Sequence, residues 1–198
     1  MPELAVQPVS QYRLSQVKDN LFIAVEPFYD KEKIEEYFGR DLLSDGILPI
    51  LLVAENHNQT SSFVLLKEQF SLTEPSSDMI ASSDAGAPIA KEASIQAGAS
   101  MAASTGMAVL TFNPMMMAGG VIVGGKAVAD ASAIQHNLTT KELTTKTLSH
   151  GKSQYGFVYF KLKDKNGITG NYIADVKALN LQSGEVLTFS FPLRQGGK

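Results

Sequence analysis

The chain has no cysteine. Disulfides, zinc–thiolate sites and thiol catalysis are therefore excluded, and nothing follows about the compartment. It has no tryptophan either, and its 17 basic residues against 20 acidic ones form no basic block. A net charge of −3 without a positive cluster argues against nucleic-acid partners. Met1–Ala5 shows neither a basic n-region nor an apolar h-region, so no signal peptide is read there, and no lipobox cysteine is present. The start fits a cytosolic protein or a mature exported chain. The largest absence is internal: residues 93–125 run 33 positions without one charged side chain.

The 198 residues, 44% of them hydrophobic, suffice for one domain with its own core. After a polar lead-in, Leu21–Glu26 reads as a strand closed by Pro27. Asp30 suits the N-cap of a short helix whose Ile34, Tyr37 and Phe38 fall on one face, with Gly39 as its stop. Ile47–Glu55 is apolar at nearly every position, the pattern of a strand covered on both sides, with Pro49 near its start or at a bulge. Ser62–Lys67 and Gln69–Leu72 are strand-like.

Further along, Gln154–Leu162 places Tyr155, Phe157 and Tyr159 on one face and Val158, Phe160 and Leu162 on the other. Asn171–Asn180 and Val186–Phe191, joined through Gln182–Gly184, read as a hairpin. About seven short strands with turn signals between them point to an antiparallel sandwich rather than a parallel sheet. The expected fold is mainly β: an immunoglobulin-like antiparallel β-sandwich with a short helix and an inserted Gly/Ala/Met-rich helical hairpin. One domain spans 1–198, its strands in about 18–74 and 137–193. Residues 75–136 form the insertion.

Five of the seven methionines lie in the uncharged run, and Asn113-Pro114 divides it into arms 93–112 and 115–132. Each arm as a helix would be about 30 Å long. Gly98, Ala102 and Gly106 recur at four-residue steps on the first arm. Gly120 and Gly124 form G-x-x-x-G on the second, and such rows let helix backbones approach closely. With Phe112, Met115, Met116 and Met117 they make up the expected association or membrane element. An arm with no polar face has to be covered all round, by its own domain, by neighbouring copies or by lipid. Two confident spans are not present: the first arm carries Gln96, Ser100, Ser104, Thr105 and Thr111, and the second meets Lys126 and Asp130. Val123–Lys126 lacks the glycine spacing and the Ser/Thr of a phosphate-binding loop.

No catalytic pattern emerges. His57, His136 and His150 stand apart beside turn residues, without metal-ligand spacing. No G-x-S-x-G elbow supports a serine nucleophile. Lys31–Glu36 reads as a solvated helix face. Asn58-Gln-Thr60 and Asn137-Leu-Thr139 fit the glycosylation triplet, which carries little weight alone. Tyr155, Tyr159 and Tyr172 could line an aromatic binding face, although strand aromatics more often fill a core.

The stretch Phe38-Gly-Arg-Asp-Leu-Leu-Ser-Asp-Gly-Ile-Leu-Pro-Ile-Leu-Leu-Val-Ala-Glu-Asn56 resembles a segment of uncharacterised bacterial envelope lipoproteins, in which FG-x-DLL…GILP runs into a strand ending in EN. Leu148-Ser-His-Gly-Lys-Ser-Gln-Tyr-Gly-Phe-Val-Tyr-Phe160 is similar to the turn and strand that follow in those proteins, with a Gly/Ala-rich segment between. The likeness covers about two-thirds of the chain, and its motifs are structural. It implies a non-enzymatic structural or interaction protein of the cell envelope, in the periplasm or at the outer membrane, needing no cofactor and no metal. Its partners would be copies of itself or a larger envelope assembly, with membrane contact as a further option. The alternative is a membrane-inserting, pore-forming or toxin-like protein. A hydrolase on a β-sandwich has no residue constellation behind it.

Overall fold

The computed structural model describes residues 4–73, 78–80, 125–162 and 172–193. Among them are ten strands in two antiparallel sheets and two helices. The first sheet has the order β1-β2-β3-β8-β6, from β1 (Ser15–Lys18), β2 (Leu21–Pro27), β3 (Ile47–Asn56), β8 (Ser153–Lys161) and β6 (Asp78–Ile80). The second has the order β10-β9-β4-β7, from β10 (Val186–Leu193), β9 (Tyr172–Asn180), β4 (Phe63–Leu65) and β7 (Thr147–Leu148). β5 (Ser71–Thr73) also pairs with β9, separated from β4 by the 3-10 turn Lys67–Gln69.

The near-continuous apolarity of β3 has the cause expected of it. Leu48, Ile50, Leu52 and Ala54 point into a cluster shared with the second sheet, where they meet Phe63, Val176, Phe189 and Phe191. Ile47, Leu51 and Val53 point the other way, into a cluster with Ile34, Phe38 and Leu138. β8 alternates in the same manner: Val158, Phe160 and Leu162 lie between the sheets, Phe157 and Tyr159 under the helices. Pro49 stands opposite Tyr159, and its carbonyl accepts from the Phe28 amide at 3.0 Å. A strand residue directs its N and C=O to the same side. The missing donor therefore falls where β2 ends, and the ladder to β8 loses nothing.

Helix α1 (Lys31–Phe38) begins at Asp30, whose carboxylate accepts from the amides of Glu32 and Lys33 at 2.9 and 3.3 Å. Gly39 ends it in the left-handed conformation, φ 79°. Ile34 and Phe38 are buried, while Lys33 reaches back to Glu26 at 2.8 Å. The polar lead-in is more structured than its composition indicates: a 3-10 turn (Val9–Gln11) precedes β1, which pairs with β2 through the two-residue turn Asp19-Asn20. Both turn residues have positive φ, 49° and 53°, a conformation that Asp and Asn tolerate best among non-glycine residues.

Helix α2 (Gly125–Lys141) starts inside the stretch expected as the insertion and runs past its expected end at His136. β6 lies in that stretch as well. Of the helical hairpin centred on Asn113-Pro114, only residues 125–132 of the second arm are described, and they belong to α2; the turn and the rest of both arms fall outside the described residues.

Open sheet edges are covered by side chains and by chain crossings. The Gln16 amide and the Lys18 amine of β1 donate to the carbonyls of Ser190 and Thr188 on β10. On the opposite side Lys67 pairs with Glu142, and the chain crosses from the first sheet to the second, Leu143 donating to the Phe157 carbonyl at 2.8 Å. These contacts satisfy backbone groups that would otherwise invite pairing with other chains.

That crossing needs a glycine beneath it. A Cβ on Gly156 would lie 2.5 Å from the Leu143 Cα and 2.7 Å from its amide nitrogen, both backbone atoms that cannot swing aside. Gly156→Ala is expected to cost about 3 kcal/mol through forced displacement of the crossing chain. Urea unfolding measures it, and an unchanged midpoint would refute the close approach.

Candidate functional site

Two constellations of polar and aromatic side chains stand out. The first ties one end of the two sheets together. Asn58, 6% exposed, donates to the backbone carbonyl and to the carboxylate of Asp19 at 3.0 and 2.9 Å. Its side-chain oxygen accepts from the Thr60 amide, the Thr60 hydroxyl and the Ser61 amide. Asn180, from the second sheet, donates to the other Asp19 carboxylate oxygen at 2.7 Å and accepts from the amides of Gln182 and Ser183. Asn56 donates to the carbonyls of Ser61 and Leu148. Short amides in turns bind nearby backbone in this way. These bonds join the β1–β2 turn, the loop after β3 and the β9–β10 turn, so the knot is a fastening between the sheets. It also removes the first glycosylation triplet from consideration, because Asn58 is buried and already bonded to its own Thr60 hydroxyl.

The second constellation is the seat of α2 on β8 and α1. Leu138 is fully buried among Phe38, Phe157 and Tyr159. Those three rings pack with centroids 4.9, 6.0 and 6.4 Å apart. The Tyr159 hydroxyl donates to the Leu138 carbonyl at 3.0 Å, and burial, with Glu142 nearby, pushes its pKa well above the ordinary phenol value. The Lys141 amine donates to the Tyr37 carbonyl in the last turn of α1 and to the Asn137 side chain, and it lies over the Tyr37 and Phe38 rings. A cation there offsets the partial negative charge of the helix C-terminus. Burial lowers the Lys141 pKa.

The expected site residues distribute unevenly. Gly98, Ala102, Gly106, Phe112, Met115, Met116, Met117, Gly120 and Gly124 all lie outside the described residues. The elements that bracket them are described, and both sit on β8: β6 pairs with Lys161, Phe160 and Tyr159, while α2 bonds to the Tyr159 hydroxyl. The three tyrosines do not share a face. Tyr159 and Tyr172 are buried in different clusters, and Tyr155 is half exposed. His57 is exposed beside Glu55 at 3.2 Å and packs on Phe22, and His150 meets the Asn58 carbonyl at 3.1 Å. His136 is on α2, a correction to its placement beside a turn; Asn137 of the second triplet is on the same helix.

Among the described residues no three His, Asp or Glu side chains could hold a metal ion together. A void of about 10 Å³ lies between the sheets, walled by Val25, Ile50, Leu52, Phe70, Val158 and Phe160. It is apolar and too small for a substrate. No family model, curated protein or solved structure matches the chain.

Tyr29 offers a test of the packing around β2. Its hydroxyl is buried without a hydrogen-bond partner among the described residues, and burial, with Tyr172 nearby, raises its pKa to about 12. A folded value above the unfolded 10.0 means the stabilisation is complete below pH 10.0 and lost as pH rises through the folded value. Melting temperature is therefore expected to fall between pH 10 and about 12. Tyr29→Phe should flatten that fall and, by removing an unmatched hydroxyl, stabilise the neutral protein by about 1 kcal/mol. Circular-dichroism melts across the range decide it; identical slopes would contradict the assignment. In the knot, Asn58→Ala should cost about 3 kcal/mol by removing both bonds to Asp19 and leaving the Thr60 and Ser61 amides without their acceptor, read as a lower urea midpoint.

Proposed function

We propose that this chain is a non-enzymatic structural and interaction protein of the bacterial cell envelope. Its two sheets act as an immunoglobulin-like sandwich, a rigid scaffold for residues 93–125. That uncharged run is the association element, and its partners are copies of the chain or a larger envelope assembly. One observation carries this reading: the elements bracketing the run, β6 and α2, are both fastened to β8, the strand buried on both faces by the two clusters. The sandwich reading is supported by the antiparallel β9–β10 hairpin and by one apolar cluster shared between the sheets. The envelope location rests on the resemblance of Phe38–Asn56 and Leu148–Phe160 alone.

Light scattering of the full chain, with liposome flotation alongside, tests the association. The expected result is a soluble oligomer that reverts to monomer when Met115, Met116 and Met117 are replaced by serine. Vesicle binding that disappears in Gly120→Asp with Gly124→Asp would instead establish membrane insertion. A monomer that ignores vesicles refutes both.

A further inference from the structure

The attachment of α2 differs in kind from the rest of the fold. Between residues 132 and 141 one side chain, Leu138, is fully buried, and Ile134 is partly so. In β3, by contrast, nine of ten residues are buried. Polar contacts hold this half of the helix as well, among them the Tyr159 hydroxyl on the Leu138 carbonyl and the Lys141 amine on the Tyr37 carbonyl. Such bonds exchange for water on release at small net cost, whereas apolar burial has no such substitute.

The chain just beyond the helix is fixed far more firmly. Leu143 is buried in the cluster between the sheets, its amide bonds to the Phe157 carbonyl at 2.8 Å, and it lies directly over Gly156. Glu142 is tied to Lys67, in the 3-10 turn between β4 and β5. Residues 142–143 are therefore a pivot. Under the helix Phe38 packs edge to face on both Phe157 and Tyr159, and the rings keep those contacts when the helix leaves.

We infer that α2 is a releasable latch: its C-terminal half undocks as a unit about Glu142–Leu143, uncovering the aromatic face of Phe38, Phe157 and Tyr159, while both sheets stay folded. Segments with few buried apolar contacts open at lower free energy than the core that carries them. The latch rests on contacts among described residues alone and requires no role for residues 93–125.

Native-state hydrogen exchange on the full chain reads it directly. Amides of residues 134–141 are expected to exchange at least about tenfold faster than those of β3 and β8, through an opening that leaves the strands protected. Tyr159→Phe, which removes one hydrogen bond and keeps the ring, should speed α2 exchange about fivefold further with β3 unchanged. Lys141→Met, which keeps the aliphatic stem and removes the ammonium, is the second variant and should give the same local signature. One protection factor common to α2, β3 and β8, or variants that speed all three equally, would overturn the latch.

Discussion

A strand pair apolar on both faces has to be covered twice, and the rest of this structure follows from β3 and β8 being such a pair. Each contributes alternate residues to two clusters, one against the second sheet and one against helices. Burying a Leu, Ile or Phe side chain is worth roughly 1.5–3 kcal/mol, so leaving either face in water would forfeit more than a domain's net stability. The second sheet supplies one cover. The other is assembled piecemeal from α1, α2 and the N-terminal segment, whose Leu4, Val6, Val9 and Tyr12 lie against the same cluster.

Covering both faces creates a polar problem at the ends and edges, where turns bring backbone groups out of reach of the ladders. Three asparagines and Asp19 answer it at one end by binding the β1–β2 turn, the loop after β3 and the β9–β10 turn into one network. The Val9 amide on the Glu55 carboxylate at 3.0 Å fastens the N-terminal cover to β3. These contacts add little net energy, since water would serve the same groups in the unfolded chain. What they fix is register: Asp19 is shared between both sheets, so neither sheet can slide past the other without stranding it.

Period and capping signals made the strongest elements legible. Asp30, Gly39 and the i, i+3, i+4 set of Ile34, Tyr37 and Phe38 located α1, and the opposed faces of Phe157/Tyr159 and Val158/Phe160/Leu162 came directly from alternation. β1, β6 and β7 were not legible, because four, three or two residues carry no period and β1 is largely exposed. The end of α2 was hidden for a different reason. His136-Asn-Leu-Thr-Thr140 has the polar, β-branched composition of a turn or strand. Tertiary contacts decide otherwise, with Leu138 in its socket and the Thr139 and Thr140 hydroxyls returned to carbonyls one turn back. The asparagine knot could not be foreseen, since its members are 161 positions apart at the extreme.

The same contrast separates reading a face from reading what covers it. Tyr155, Phe157 and Tyr159 follow one alternation on one side of β8, yet Phe157 and Tyr159 are fully buried while Tyr155 is 53% exposed. Alternation is a property of the strand and is written locally. Cover is a property of where α1 and α2 end, and those ends are set by Gly39 and by the pivot over Gly156, neither of which is on the face in question. A glycine on the opposite face of β8 thus governs how far the helix reaches: it lets Leu143 come close enough to bond to Phe157, which places Leu138 over Tyr159 and leaves Tyr155 in water. Aromatic binding faces proposed from strand alternation alone fail for this reason: the strand specifies which rings point together, and distant residues decide which of them remain available.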